Sequence, residues 1–258
     1  MHTRIIRSTS TDPCFNLALE EWFFYGMPPG ECVLLLYVNR PAVVIGKNQN
    51  PWSECDIPAM QIDEVHLCRR ISGGGAVYHD MGNLNFSFLS DRNNYDIDRQ
   101  LGIVLNALSA MGFDVTLNNR RDLTLRYRKI SGNAFCLRKD RALHHGTLLV
   151  DSDTMAMNRY LRPVLPDITT RSVASNRSEV INLVEVDPRV TLESIIESLC
   201  RSFNHTFRTQ SVPVYFDQSA LSVENRGAVD DLYRKNSSLE WVYGRTPQFG
   251  TVLSGTNI

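Results

Sequence analysis

The chain has 258 residues, 43% of them hydrophobic, with 27 basic and 28 acidic side chains and a formal charge of -1. That length can bury a large core, so one α/β domain, or one large domain with a small appendage, accommodates it. The near-neutral balance excludes a whole-molecule electrostatic case for nucleic acid or an acidic membrane, and any anion site has to be local.

The opening, MHTRIIRSTSTDP, has no apolar run of the secretory kind, and no later stretch is long enough to span a bilayer. A soluble cytoplasmic protein is expected, or a mitochondrial-matrix one if this is a processed organellar form. Next, DPCFNLALEEWFFYG puts Asp12 at an N-cap and Pro13 at the first helical position. Phe15, Leu19, Trp22 and Phe23 recur at helical spacing before Gly26, which predicts a helix. CVLLLYV (32–38) and AVVIGKN (42–48) are apolar runs split by Asn39-Arg40-Pro41 and read as two strands and a turn. EVHLCRR alternates and leads directly into Gly73-Gly74-Gly75, and GAVYHD and NLNFSFL read as the strands that follow.

RQLGIVLNALSAMG sets Leu101, Val104, Leu105, Leu108 and Met111 on one helical stripe before Gly112. Four β-like stretches come after it: FDVTL, DLTLRY, RKISGNAFCL and RALHHGTLLV. Helical periodicity returns in TLESIIESLCRSF. Strands dominating the first two thirds and helices the last favour an α+β fold with mixed β-sheets flanked by helices. The six cysteines (14, 32, 55, 68, 136 and 200) form no C-x-x-C pair, so reduced buried thiols are expected, with no zinc cluster.

Two constellations carry candidate chemistry. In RRISGGGAVYHD the bare glycine backbone lets a ligand approach N–H groups closely, as phosphate-holding loops do. Neither common nucleotide fingerprint is present, and a purely structural turn between strands remains the alternative. Arg69 and Arg70 face opposite ways on their strand; Arg70 is the one assigned to the ligand. In RKISGNAFCLRKDRALHHGTLLV, Lys129 starts a strand after a tight turn, and His144-His145-Gly146 falls on its expected antiparallel neighbour. Within so basic a run a solvated lysine is the competing reading.

RRISGGGAVYHDMGN, RKISGNA, HHGTLL and the earlier DPCFNLALEE and VVIGKNQNPWSEC together resemble, in order and separation, the lipoate-protein ligase A family. The likeness extends from about Asp12 to about Phe249. It implies an α+β catalytic domain, akin to that of biotin- and lipoate-protein ligases, over residues 1–249. Residues 250–258 would be a short tail where relatives commonly begin an accessory domain. The implied reaction activates lipoate with ATP to lipoyl-AMP. The lipoyl group then passes to a lysine of a lipoyl domain, either in E2 subunits of 2-oxoacid dehydrogenase complexes or in the glycine cleavage H protein.

The resemblance makes Lys129 the catalytic cation, bridging the acyl carbonyl oxygen and the α-phosphate. Arg70 would contact phosphate, and Gly75, Ala76, Val77 and Tyr78 would line the adenylate. Ser72, Gly73 and Gly74 would close over the lipoyl chain, with His79 and His145 beside it. Mg2+ is implied on the ATP phosphates with Asp122 as protein ligand, in Arg120-Arg121-Asp122-Leu123 where the family commonly reads R-N-D-L. A second family stretch appears as Arg171 to Leu183. One branch of relatives with a thiol nucleophile carries it where this chain has Ala142, another just before the DL strand, where Asn118 to Arg121 contains no cysteine, and Cys136 reads as a core thiol. The alternatives are a transferase that uses preformed lipoyl-AMP or needs a separate accessory chain, and a non-catalytic protein that binds lipoate or a lipoyl domain.

Overall fold

Alternation along the strand Glu31–Val38 sets the layering. Leu34 and Leu36 pack with Phe86 and Phe88 against the helices Ile97–Ser109 and Leu192–Phe207. Val33, Leu35 and Tyr37 face the other way, against the helix Pro13–Gly26. A strand covered on both faces needs apolar residues at every position, which is why CVLLLYV shows no polar alternation. The structure, a computed structural model, describes residues 2–164, 168–217, 219 and 222–251, so most of the expected tail 250–258 lies outside the described residues. Among the described residues no helix is long and apolar enough to cross a membrane.

The strand belongs to a mixed six-stranded sheet, ordered Asn133–Leu137, Arg141–Leu149, Asn83–Asp91, Glu31–Val38, His2–Ser8, Pro213–Phe216. The last three are parallel to one another and the remaining pairings are antiparallel. A second sheet centres on Ala42–Ile45, parallel to His66–Arg69 and antiparallel to Val77–His79. The glycine run connects those two outer strands. A third, antiparallel sheet of Val115–Leu117, Leu123–Leu125 and Arg128–Ser131 stands at the edge. The molecule is therefore α+β with mixed sheets and flanking helices.

The helix Pro13–Gly26 begins as its sequence dictates. The Asp12 carboxylate accepts the N–H groups of Cys14 at 2.8 Å and Phe15 at 3.1 Å, a cap worth about 1 kcal/mol. One expected strand is corrected: RKISGNAFCL is two strands, broken at Gly132. Arg128–Ser131 stays with the edge sheet, whereas Asn133–Leu137 pairs with Arg141–Leu149 in the large one. Sequence propensity is β-like on both sides of the break and cannot show the change of sheet. The strand His2–Ser8 and the helices Thr154–Tyr160 and Val223–Asn236 were not foreseen. The last is polar along most of its length and packs on the first helix through few apolar residues, including Val229 and Leu232.

The turn before Arg128 holds Arg126 at φ 51° and Tyr127 at φ 62°. Hairpin turns of this hand normally use Asn or Gly, since a side chain there costs roughly 1–2 kcal/mol. Tyr127 is fully exposed and gains nothing from packing. Tyr127→Gly is expected to stabilise the protein by about 0.5–1 kcal/mol, after the loss of chain entropy in glycine. A denaturant midpoint that stays put or falls would contradict this.

Candidate active site

Strand parity separates the two arginines. Arg69 is fully buried. Its Nε donates to the carbonyls of Trp241 and Val242, Nη1 to those of Gly46, Lys47 and Gln49, and Nη2 to Val242 and the Thr246 hydroxyl. It fastens the Trp241–Thr246 segment to the Gly46–Gln49 loop. Arg70 turns the opposite way. Its Nη1 donates to the Val44 carbonyl, Nη2 to Gly73 O at 2.6 Å and Gly75 O at 2.7 Å, and Nε to the Ser72 hydroxyl. Burial pushes its pKa down to about 10, which still leaves it a cation at neutral pH.

Those contacts shape the loop. Gly74 sits at φ 84°, where a side chain would be strained. A Cβ on Gly75 would lie 2.9 Å from Ser175 Oγ, the atom that accepts the Ala76 N–H at 2.8 Å. Ser72 Oγ is 2.6 Å from His145 Nε2, and His145 Nδ1 lies 2.9 and 3.0 Å from the two oxygens of buried Glu20. The arrangement has the order of a hydroxyl nucleophile, its base and a carboxylate. However, Arg70 Nε donates to the same hydroxyl at 3.0 Å, which withdraws electron density from the oxygen. The chain of contacts therefore orders the loop.

Two cavities meet at Lys129. The first, about 270 Å³, runs from Lys129 past Gly74, Gly75 and Ala76 to Leu17, Tyr37, Arg70, His79 and His145. The second, about 340 Å³, is walled by Glu54, Tyr78, Leu149, Asn158 and Arg177. Ala76, Val77, Gly132, Thr147 and residues 174–176 border both. Lys129 is held from two sides: its N–H donates to Glu179 O at 2.8 Å and its carbonyl accepts from Ile181 N at 3.0 Å. Its Nζ lies 2.9 Å from Asp122 Oδ1, with the side chain a quarter exposed. A Cβ at Gly132 would come within 3.0 Å of that Nζ, so the glycine of RKISGNA makes room for the ammonium.

Of the residues singled out from sequence, Arg70, Gly74, Gly75, Ala76, Val77, Asp122, Lys129, His79 and His145 border the first cavity. Ala76, Val77, Tyr78 and Lys129 border the second. Ser72 and Gly73 border neither and act within the loop. Asp122 Oδ2 accepts from Asn118 Nδ2 at 3.1 Å. Among the described residues no group of three or more His, Cys, Asp or Glu side chains could hold a metal. A magnesium ion needs no such group, because one or two carboxylates suffice when phosphates and waters complete its octahedron. Asp122, with lone pairs left beside Lys129, fits that donor set.

Sequence reasoning missed Glu20, Tyr37, Glu54 and Asn85. The first two lie inside runs that read as core helix and core strand, and nothing in such a run marks which members turn toward a cavity.

His144, one residue from His145, faces the opposite side and contacts Gln100 and Asn133. Burial holds both His79 and His144 down at about 3. The unfolded chain, with histidines near 6.5, therefore binds more protons than the folded one between those values. Stability is expected to fall as the pH drops from about 6.5 toward 4, by up to about 1.4 kcal/mol per pH unit for each histidine. Denaturant unfolding across that range measures it, and a flat profile would contradict the two buried neutral rings.

Comparison with known proteins places this geometry. The Lipoyl protein ligase A/B catalytic domain family matches residues 12–204. Lipoate-protein ligase A of Psychrobacter cryohalolentis is 39% identical over 96% of this chain and 74% of its own. P. falciparum LipL1, solved in complex with lipoate, is 31% identical with a TM-score of 0.82, covering 96% of this chain and 76% of that one. A bi-partite lipoate protein ligase solved with its E2 lipoyl domain from Thermoplasma acidophilum has a TM-score of 0.81 at 25% identity, covering 96% and 98%. A lipoate-protein ligase A bound with ATP has a TM-score of 0.80 at 26% identity, covering 95% and 100%.

Proposed function

Because the chain belongs to the lipoyl protein ligase A/B catalytic-domain family, as an ATP-dependent ligase, we propose that it joins lipoate to AMP and passes the lipoyl group to a lysine of a lipoyl domain. The catalytic unit in this reading is residues 1–249. The observation that carries it is the ammonium of Lys129 at the junction of two cavities. One suits an acyl chain and the other a nucleotide.

Attack of a carboxylate on the α-phosphate of ATP brings two anions together and expels pyrophosphate. A fixed cation between them lowers that barrier, and the strand position of Lys129 keeps it from having to reorganise. In the second step the acceptor amine adds to the acyl carbon and AMP leaves. The same ammonium then stabilises the negative charge on the carbonyl oxygen. Asp122 holds Nζ in place. Magnesium, held by Asp122 and the phosphates, supplies further charge neutralisation when bound. Arg70 contributes through the glycine loop, whose carbonyls it holds, and its buried charge faces the cavity.

The acceptors we assign are lipoyl domains of E2 subunits or the H protein. They meet the enzyme in the cytoplasm, or in the mitochondrial matrix for a processed form. A second reading, in which preformed lipoyl-AMP is used or a separate accessory chain assists activation, is favoured by the likeness to the bi-partite ligase. Incubation of the protein with an apo lipoyl domain, followed by mass spectrometry, separates the two. Lipoylation with lipoate, ATP and Mg2+ is expected. Lipoylation with supplied lipoyl-AMP but not with lipoate, ATP and Mg2+ would support the second reading, and an unmodified domain in both mixtures would refute ligation.

A further inference from the structure

Two thiols face each other where the first helix meets the second sheet. Cys14 lies in the first turn of the helix Pro13–Gly26 and Cys68 on the strand His66–Arg69, and their sulfurs are 3.5 Å apart. All six cysteines are free. Burial raises the pKa of Cys32, Cys55, Cys136 and Cys200, as befits inert core thiols. Cys14 differs, because its hydrogen bond with Cys68 lowers its pKa. One sulfur of the pair is thus disposed to become a thiolate, and the other is its immediate neighbour.

The pair is coupled to the acyl cavity from both sides. It packs with Leu17 and Val44, and both of these border that cavity. Leu17 is one turn beyond Cys14 on the same helix face, and three residues further on Glu20 holds His145. Val44 is the register partner of Cys68, and its carbonyl accepts from Arg70, two residues beyond Cys68. A sulfur–sulfur bond is about 2 Å long, so forming one would draw the two sulfurs together by roughly 1.5 Å. A closely packed interior passes such a displacement to its neighbours.

Access is from the side of Cys14, which is 7% exposed, whereas Cys68 is fully buried. Tyr233, on the helix Val223–Asn236, packs on the thiol cluster and borders an open cleft together with Asp12 and Phe15. That helix docks through few apolar residues. Elements held in this way open locally at low cost, and a small oxidant needs only a small opening.

We propose that Cys14 and Cys68 form a redox switch on the acyl cavity, closed to a disulfide by a peroxide. The Cys14 thiolate attacks one peroxide oxygen, giving the sulfenic acid and releasing hydroxide. The Cys68 sulfur then attacks the Cys14 sulfur, and its proton leaves with the displaced hydroxyl as water. Two electrons pass from the thiols to the peroxide. A dithiol reverses the change by exchange and leaves as its own disulfide. Resting on the ligase reading above, the oxidised protein uses lipoate less well, because Leu17 and Val44 no longer match the acyl chain. A displacement of about 1 Å at a positioned site costs up to about 10²-fold, so a fall of roughly tenfold or more in kcat/KM for lipoate is expected.

The test uses the full chain in native buffer. Hydrogen peroxide is added and then removed with catalase, and peptides are mapped without reduction. A cross-link between Cys14 and Cys68, lighter by the two thiol hydrogens, is the expected product. Its absence, or Cys14 oxidised to the sulfinic acid with Cys68 untouched, would overturn the proposal. Amide hydrogen exchange at residues 17–20 and 70–75 should change on oxidation and return with dithiothreitol, and unaltered exchange would refute the coupling to the cavity. The kcat/KM for lipoate should fall about tenfold and recover once dithiothreitol has acted and been removed. Cys14→Ser, or Cys68→Ala should the first fail to fold, is expected not to respond to peroxide. Equal losses in wild type and variant would place the damage elsewhere and overturn the switch. A wild type inactive before oxidation would defeat the ligase reading alone, and the peptide map and exchange would still decide whether the switch exists.

Discussion

Lys129→Ala is expected to slow both lipoyl-AMP formation and lipoyl transfer by about 10²–10³-fold, the range seen when one oriented charge-stabilising donor is removed, while leaving the fold intact. The side chain is a quarter exposed and bonded to Asp122, so no packed core depends on it. Lys129→Arg should not rescue the activity. The guanidinium is broader and planar, and the ammonium already lies so close to Gly132 that a Cβ there would meet it at 3.0 Å. Single-turnover assays of each half-reaction, beside a circular dichroism spectrum, check both variants. A Lys129→Ala protein that still synthesises lipoyl-AMP at the wild-type rate would remove the ammonium from the mechanism.

Arg69→Met should act on stability rather than chemistry. The buried guanidinium has no carboxylate partner among its hydrogen bonds and is held by main-chain carbonyls from two distant segments. Methionine fills part of the volume but leaves those carbonyls without donors. Breaking a satisfied buried charged group in this way costs about 3–5 kcal/mol. Urea unfolding monitored through Trp241, whose indole donates to the Arg69 carbonyl at 2.7 Å, would report it. A loss below about 1 kcal/mol would mean that the carbonyls find other partners.

The contrast between these neighbours shows what could be read from the chain. Strand alternation was enough to say that Arg69 and Arg70 diverge, so that only one of them could turn toward a ligand at the glycine run. The sequence could not disclose that Arg69 reaches Trp241–Thr246, because that contact spans more than 170 residues. Asp12 and Pro13 announced their helix because capping is a local bond. Gly132 did not announce the change of sheet, since both halves of RKISGNAFCL have strand propensity and only tertiary pairing parts them. Lys129 in isolation looked like one more cation of a solvated face. Its partners Asp122, Glu179 and Ile181 are what place it between two cavities. Glu20 was invisible for the opposite reason, being a polar residue in an apolar run, with its partners supplied by other elements.

The account turns on where the Lys129 ammonium lies when an adenylate is bound. A crystal structure with lipoyl-AMP tests this most directly. Nζ should sit within hydrogen-bonding distance of both the acyl carbonyl oxygen and the α-phosphate, with the tail running toward Tyr37 and His79. An adenylate seated in these cavities with Nζ turned away to solvent would contradict the mechanism.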